Sequence, residues 1–140
     1  MTTTTTNPAV LSDGDKVAIA SLTQRVVAAW AYHDADSFAD VFTDDGTMIL
    51  AGVYLKGRAE IRDYMAAAFE GIYKGTQVTG KPIDMRPLGD GAAILLSQGG
   101  VLAVGDSEVS ESEAIRAAWV VVRHEGGWRL AAYQNTPRNA

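Results

Sequence analysis

The sequence predicts an α+β fold: three helices, all in the N-terminal half, on one face of a strongly curved antiparallel sheet of about six strands. Two observations carry this prediction. Apolar residues recur at helical spacing in two long segments before residue 73, and from Gln77 onward long alternating runs are punctuated by glycine turns. The 140 residues suit one domain, large enough to bury roughly 68% of its unfolded surface without a metal or disulfide staple.

The first helix is predicted from Asp13 or Asp15 to His33. Ile19, Leu22, Val26, Trp30 and His33 form one apolar line, widened by Val17, Ala20, Val27 and Ala31. Either aspartate suits an N-cap. A turn at His33-Asp34-Ala35 leads to a short helix, Asp36 to Phe42, and Asp44-Asp45-Gly46 reads as a turn. Strands Thr47 to Ala51 and Val53 to Lys56 follow, joined around Gly52. The third helix, Glu60 to about Ile72, places Ile61, Met65, Ala68 and Phe69 on one face. Beyond the glycines at 71, 75 and 80, four strands are predicted as an antiparallel meander: Gln77 to Leu88, Ala92 to Ala103, Ile115 to His124 and Trp128 to Asn135. Residues 1–12 read as a disordered threonine-rich tail, 13–137 as the domain and 138–140 as a second tail.

Composition excludes several functions. Without cysteine there are no disulfides, thiol nucleophiles or thiolate metal sites. Net charge −5, with scattered basic residues, argues against nucleic acid and anionic membrane as partners. No apolar run approaches a membrane span and the N-terminus lacks signal-peptide character, so a cytoplasmic location is expected. His33 and His124 complete no metal motif. Asp44-Asp45 suits turn formation, and Gly99-Gly100 lacks the spacing and lysine of a phosphate loop.

The segment Gln24 to Trp30, followed by Asp36, Phe38, Phe42 and Asp44-Asp45-Gly46, resembles the opening of the nuclear-transport-factor-2-like (NTF2-like) superfamily. Gly57-Arg58, the strand Gly127-Trp128-Arg129-Leu130 and Gln134-Asn135-Thr136 fit the same plan, over about Asp13 to Pro137. Gln98 to Leu102 and Ala132 to Pro137 are similar to the SgcJ/EcaC-type branch associated with enediyne polyketide biosynthesis. The resemblance implies a cone-shaped fold around a cavity, commonly paired into homodimers across the open sheet face. It does not fix a reaction, because this fold carries many functions. Ketosteroid isomerases of this fold need an aspartate base, a tyrosine and a protonated aspartic acid. Those places fall on Leu50, Val26 and near Val120, so that chemistry by those groups is excluded.

The polar candidates lie on the later strands. Arg116 suits holding a carboxylate, carbonyl or phosphate, or else pairs at the surface with Glu111 or Glu113. Gln134 and Asn135 suit orienting a substrate oxygen, or capping a strand end. Tyr133 can donate to an oxyanion, or pack in an interface. Gln98, beside two glycines, suits either a site or a bulge. Simple alternation places Gln134 with Leu130 on one face and Tyr133 with Asn135 on the other, without deciding which is concave. Trp30, Tyr54, Met65, Phe69 and Trp119 read as core, or together as the wall of an apolar site; His33 reads as a pocket-rim base or a solvated helix end.

Two functions are then expected, neither needing a cofactor. One is an isomerase or cyclase acting on a polyketide-derived polyene beside a polyketide synthase. The other is a non-catalytic carrier shielding that intermediate, with homo-oligomeric association as a third role.

Overall fold

The computed structural model describes residues 10–139, so most of the expected N-terminal tail lies outside the described residues. Leu11 is buried and Ser12 caps the first helix, so the packed domain begins ahead of Asp13.

Helix α1 spans Asp13–Ala31. Its N-cap is Ser12 rather than either aspartate: Ser12 Oγ accepts from the Asp15 N–H at 3.0 Å, and the Asp15 carboxylate accepts from the Ser12 N–H at 3.4 Å. This reciprocal box satisfies two otherwise orphaned donors. The helix ends before His33, which takes a left-handed φ of 51°. Asp34 then caps α2, Ala35–Asp40, by accepting from the Ser37 N–H at 3.0 Å.

Strand β1, Phe42–Leu50, begins earlier than expected and absorbs Asp44-Asp45-Gly46. Its pairing jumps from Phe42↔Leu130 to Thr47↔Ala132, so the turn-like residues form a wide irregularity inside the strand. There Asp44 pairs with Arg58 at 2.9 Å, and Arg58 also donates to the Phe42 carbonyl. Strand β2, Val53–Lys56, leads through Gly57 into α3, Arg58–Glu70.

Four eleven-residue strands complete the sheet: β3 (Gln77–Pro87), β4 (Ala92–Leu102), β5 (Ala114–His124) and β6 (Gly127–Pro137). The order is β2-β1-β6-β5-β4-β3. Every neighbouring pair is antiparallel except β1–β6, which is parallel, so the sheet is mixed. No hairpin joins these two strands, and so none imposes the antiparallel sense. Two residues of the expected C-terminal tail are hydrogen-bonded to the domain: Arg138 N–H donates to the Ala114 carbonyl at 2.8 Å, and Asn139 donates to Glu111.

All three helices cover the concave face. Ile19, Leu22, Met48, Ile61, Met65, Leu95, Val121 and Leu130 are each at most 2% exposed. A second fastening joins α1 to the β5–β6 hairpin, where Asp15 accepts from Arg123 at 2.9 Å and from Trp128 Nε1 at 3.3 Å. The Arg123 guanidinium also stacks 4.6 Å from the Trp128 ring.

Candidate functional site

Between the helices and the sheet lies a cavity of about 350 Å³. Helix α1 contributes Thr23, Val26 and Trp30; α3 and the turn after it contribute Tyr64, Met65 and Tyr73; the sheet contributes Trp119, Leu130, Tyr133 and Asn135. A surface groove of about 570 Å³ between α1 and α2 is larger, but its lining of Arg25, Tyr32, Asp36 and Asp40 is exposed and mostly charged. A partly enclosed, mostly apolar space with few polar groups is the better ligand site.

A bulge decides which residues of β6 face this cavity. Val121 pairs with Leu130 and Val120 with Ala132, leaving Ala131 as an extra residue. The phase therefore shifts by one: Trp128 and Leu130 point inward before the bulge, and Tyr133 and Asn135 after it. Gln134 is turned to the outer face. Strict alternation groups Leu130 with Gln134, and the bulge breaks that grouping.

The inward set is hydrogen-bonded in pairs. Asn135 Nδ2 donates to Tyr133 Oη at 3.0 Å, which leaves the phenolic hydrogen of Tyr133 free to donate. The Tyr133 ring stands edge-on to Trp119, with centroids 5.1 Å apart at 89°. Trp119 Nε1 donates to the buried Ser97 Oγ at 2.9 Å.

Burial raises the Tyr133 pKa, opposed by the Asn135 hydrogen bond. Burial, together with the neighbouring Tyr64 and Tyr133, pushes Tyr73 up to about 12. Both phenols are therefore protonated at neutral pH and serve as donors, not bases. Among the described residues, Glu113 is the one carboxylate lining the cavity.

The remaining sequence candidates lie elsewhere. Gln98 and Arg116 are cross-strand partners on the outer face, where Arg116 Nε donates to Gln98 Oε1 at 3.3 Å. Arg116 thus meets Gln98 and not Glu111, which pairs with Arg138 at 3.2 Å. Tyr54 is 63% exposed on the edge strand β2. Phe69 is buried behind the wall, packed edge-on against Trp30 at 5.4 Å. His33 lies outside the cavity; its Nε2 is 3.1 Å from the Thr76 carbonyl, and it stacks on Phe69 at 5.2 Å. That contact ties the end of α1 to the turn after α3, and Trp30 Nε1 reinforces it by donating to Thr76 Oγ1 at 3.0 Å. The lining thus includes Trp30, Met65, Trp119, Tyr133 and Asn135 from the sequence candidates. It leaves out Arg116, Gln98, Gln134, His33, Tyr54 and Phe69. Of the three positions compared with ketosteroid isomerases, Val26 and Leu50 line the cavity, whereas Val120 faces outward beside inward-facing Trp119 and Val121.

Thr23, Tyr64, Tyr73 and Glu113 join the lining without being among the sequence candidates. Thr23 and Tyr64 carry a sequence signal, since each falls on the buried helical line, four residues after Ile19 and three after Ile61. Tyr73 lies among chain-breaking glycines, where no periodicity marks an inward position.

The sequence matches the SnoaL-like domain over residues 14–134. The chain belongs to that family. Solved structures place this SnoaL-like chain in the NTF2-like, cystatin-like fold. A domain of unknown function from Nostoc punctiforme superimposes with TM-score 0.85 and 28% identity, covering 92% of this chain and 80% of that one. An NTF2-like protein from Novosphingobium aromaticivorans gives TM-score 0.78 and 21% identity over 91% and 84% of the two chains. Aln2 from a Streptomyces species gives TM-score 0.74 and 20% identity over 90% and 92%. Among curated proteins, none matches the sequence. No helix among the described residues is long and apolar enough to cross a membrane.

Proposed function

We propose that this SnoaL-like domain binds a small, largely apolar molecule carrying a carbonyl oxygen and acts on it as a cofactorless isomerase or cyclase. The observation that carries the reading is the Asn135–Tyr133 pair at 3.0 Å in the wall of an apolar cavity. Asn135 occupies a lone pair of Tyr133 Oη and leaves its hydrogen to polarise a ligand oxygen. In a mostly apolar cavity such a fixed donor stabilises developing negative charge better than water does. Glu113 is the group to take a proton from carbon next to the polarised carbonyl. The same proton, returned to a different carbon of the conjugated system, moves the double bond without change of oxidation state.

The substrate class in this proposal is a polyketide-derived polyene, in the cytoplasm beside an iterative polyketide synthase on the way to an enediyne core. The apolar volume and its indole and phenol rings suit an unsaturated chain, and the Gln98-to-Leu102 and Ala132-to-Pro137 segments resemble the enediyne-associated branch. The outer sheet face, with Ile94, Leu96, Ala118, Val120 and Val122 half-buried in the single chain, is the proposed homodimer surface. A monomer by light scattering at micromolar concentration would refute that part.

A second reading, a non-catalytic carrier of the same molecule, is favoured by one observation. The only carboxylate lining the cavity among the described residues belongs to exposed Glu113. Native mass spectrometry with a linear conjugated polyenal, followed by chromatography of the released ligand, separates the two. Retention with release of a rearranged product supports the enzyme. Retention with unchanged release supports the carrier, and no retention removes both.

A further inference from the structure

We infer that Thr23 is a second polar anchor of the cavity, so that its ligand is an elongated apolar molecule bearing an oxygen function at each end. This inference deepens the small-molecule reading above and rests on it. Thr23 is 1% exposed and lines the cavity from α1. Its Oγ1 has no hydrogen-bond partner among the described residues. A buried hydroxyl without a partner is rare, because it forgoes its bonds to water and receives nothing in return. A helical threonine ordinarily relieves this by bonding a carbonyl one turn back, and here it does not.

The surroundings explain the geometry. The Thr23 methyl group packs toward β3, where a Cβ added at Gly80 would stand 3.0 Å from Cγ2. Glycine at position 80 therefore admits the threonine to this place. Gly80 lies on β3 and the Tyr133–Asn135 pair on β6, three strand steps away. At the usual strand spacing that is about 14 Å along the sheet, less where it curves. On the strands between, Ile115 and Trp119 face the cavity, and the Ser97 hydroxyl already accepts from Trp119. Thr23 and the Tyr133–Asn135 pair are thus well-separated polar groups of the lining, beside Tyr64, Tyr73 and Glu113, and Thr23 is the buried one left without a partner. A ligand whose one oxygen is taken by the Tyr133–Asn135 pair would leave Thr23 as it stands.

Two stilbenes test this: para-hydroxystilbene, with one terminal hydroxyl, and the symmetric para-dihydroxystilbene, with one on each ring. Each is titrated calorimetrically into the wild-type protein and into Thr23→Val, which keeps the shape and removes the hydroxyl. The inference expects the dihydroxy compound to lose about tenfold in affinity, the size of one buried hydrogen bond. The monohydroxy compound should stay within about twofold, and unliganded Thr23→Val should melt no lower than wild type, since its lost hydroxyl had no partner. Equal effects on both stilbenes, no effect on either, or a clearly lower melting temperature would overturn the role of Thr23 while leaving the cavity reading intact. Failure of both stilbenes to bind the wild type would overturn the cavity reading, and this inference with it.

Discussion

Replacing Gly99 by alanine tests how the cavity wall is built. A Cβ at Gly99 would lie 2.0 Å from the Thr79 carbonyl oxygen and 2.7 Å from its carbon, and real Cβ contacts below 3.0 Å essentially do not occur. The obstacle is backbone, so β3 itself has to retreat by about 1 Å or more. Thr79 and Gly80 pair there with Gly100 and Gly99, and Thr79, Gly80 and Gly100 all line the cavity. Overpacking of this kind costs about 1–3 kcal/mol, and one or two weakened ladder bonds add about 0.5–1.5 kcal/mol each. The expected loss is about 3 kcal/mol, a large part of the ~5–15 kcal/mol that holds a domain together. Urea unfolding followed by tryptophan fluorescence reads it directly. Gly91→Ala is the control, because a Cβ there meets nothing within 4 Å and Gly91 has no left-handed φ; it should stay within about 0.5 kcal/mol of wild type. If the two variants unfold at the same urea concentration, the close approach at Gly99 is not a constraint and the reasoning fails.

Three further outcomes follow from the same geometry. Ser97→Ala leaves the buried Trp119 N–H without its acceptor and should cost about 1–3 kcal/mol in thermal or urea melts; an unchanged midpoint would show that the bond contributes nothing. The Asp15 pKa is lowered to about 2, chiefly by its hydrogen bond to Arg123, with partial burial opposing and Trp128 and Ser12 adding to the lowering. Because the folded value lies below the unfolded 3.8, the contribution of Asp15 is full above about pH 4 and lost as pH falls through about 2. Asp15→Asn should flatten the acid limb of the stability profile in that window, and an unaltered limb would contradict the assignment. Alanine at Gln98, Arg116 or Gln134, all turned away from the cavity, should leave polyenal uptake in native mass spectra within about twofold of wild type; a loss comparable to that of Tyr133→Phe would return these residues to the site.

Helix existence and strand order in the meander were legible because burial imposes the spacings 3.6 and 2 on residues such as Ile19, Leu22, Ile61 and Met65, or Ala117, Trp119 and Val121. Boundaries were less legible. Ser12 and Asp34 act as caps through side-chain geometry that Asp13, Asp15 or Asp36 could equally have supplied on paper. The parallel β1–β6 pair joins segments far apart in the chain, and no local pattern records such a pairing. The candidate site suffered most from one residue. Counting by twos along β6 is valid on either side of Ala131 but not across it, so simple alternation groups Leu130 with Gln134 although they face opposite ways. Nothing in Leu130-Ala131-Ala132 marks a bulge, because alanine fits both faces of a sheet. The double glycine at 99–100 did carry information, about close approach of Thr79 and Glu113 rather than about Gln98.

The most direct test of the account is a calorimetric titration of a linear conjugated polyenal into three proteins: wild type, Val26→Phe, which fills the cavity from α1, and Arg116→Ala, which alters only the outer face. The account predicts that Val26→Phe binds at least about tenfold more weakly, a difference of ~1.4 kcal/mol, while Arg116→Ala binds as wild type does. Undiminished binding by Val26→Phe, with loss in Arg116→Ala, would place the ligand on the outer sheet face and contradict it.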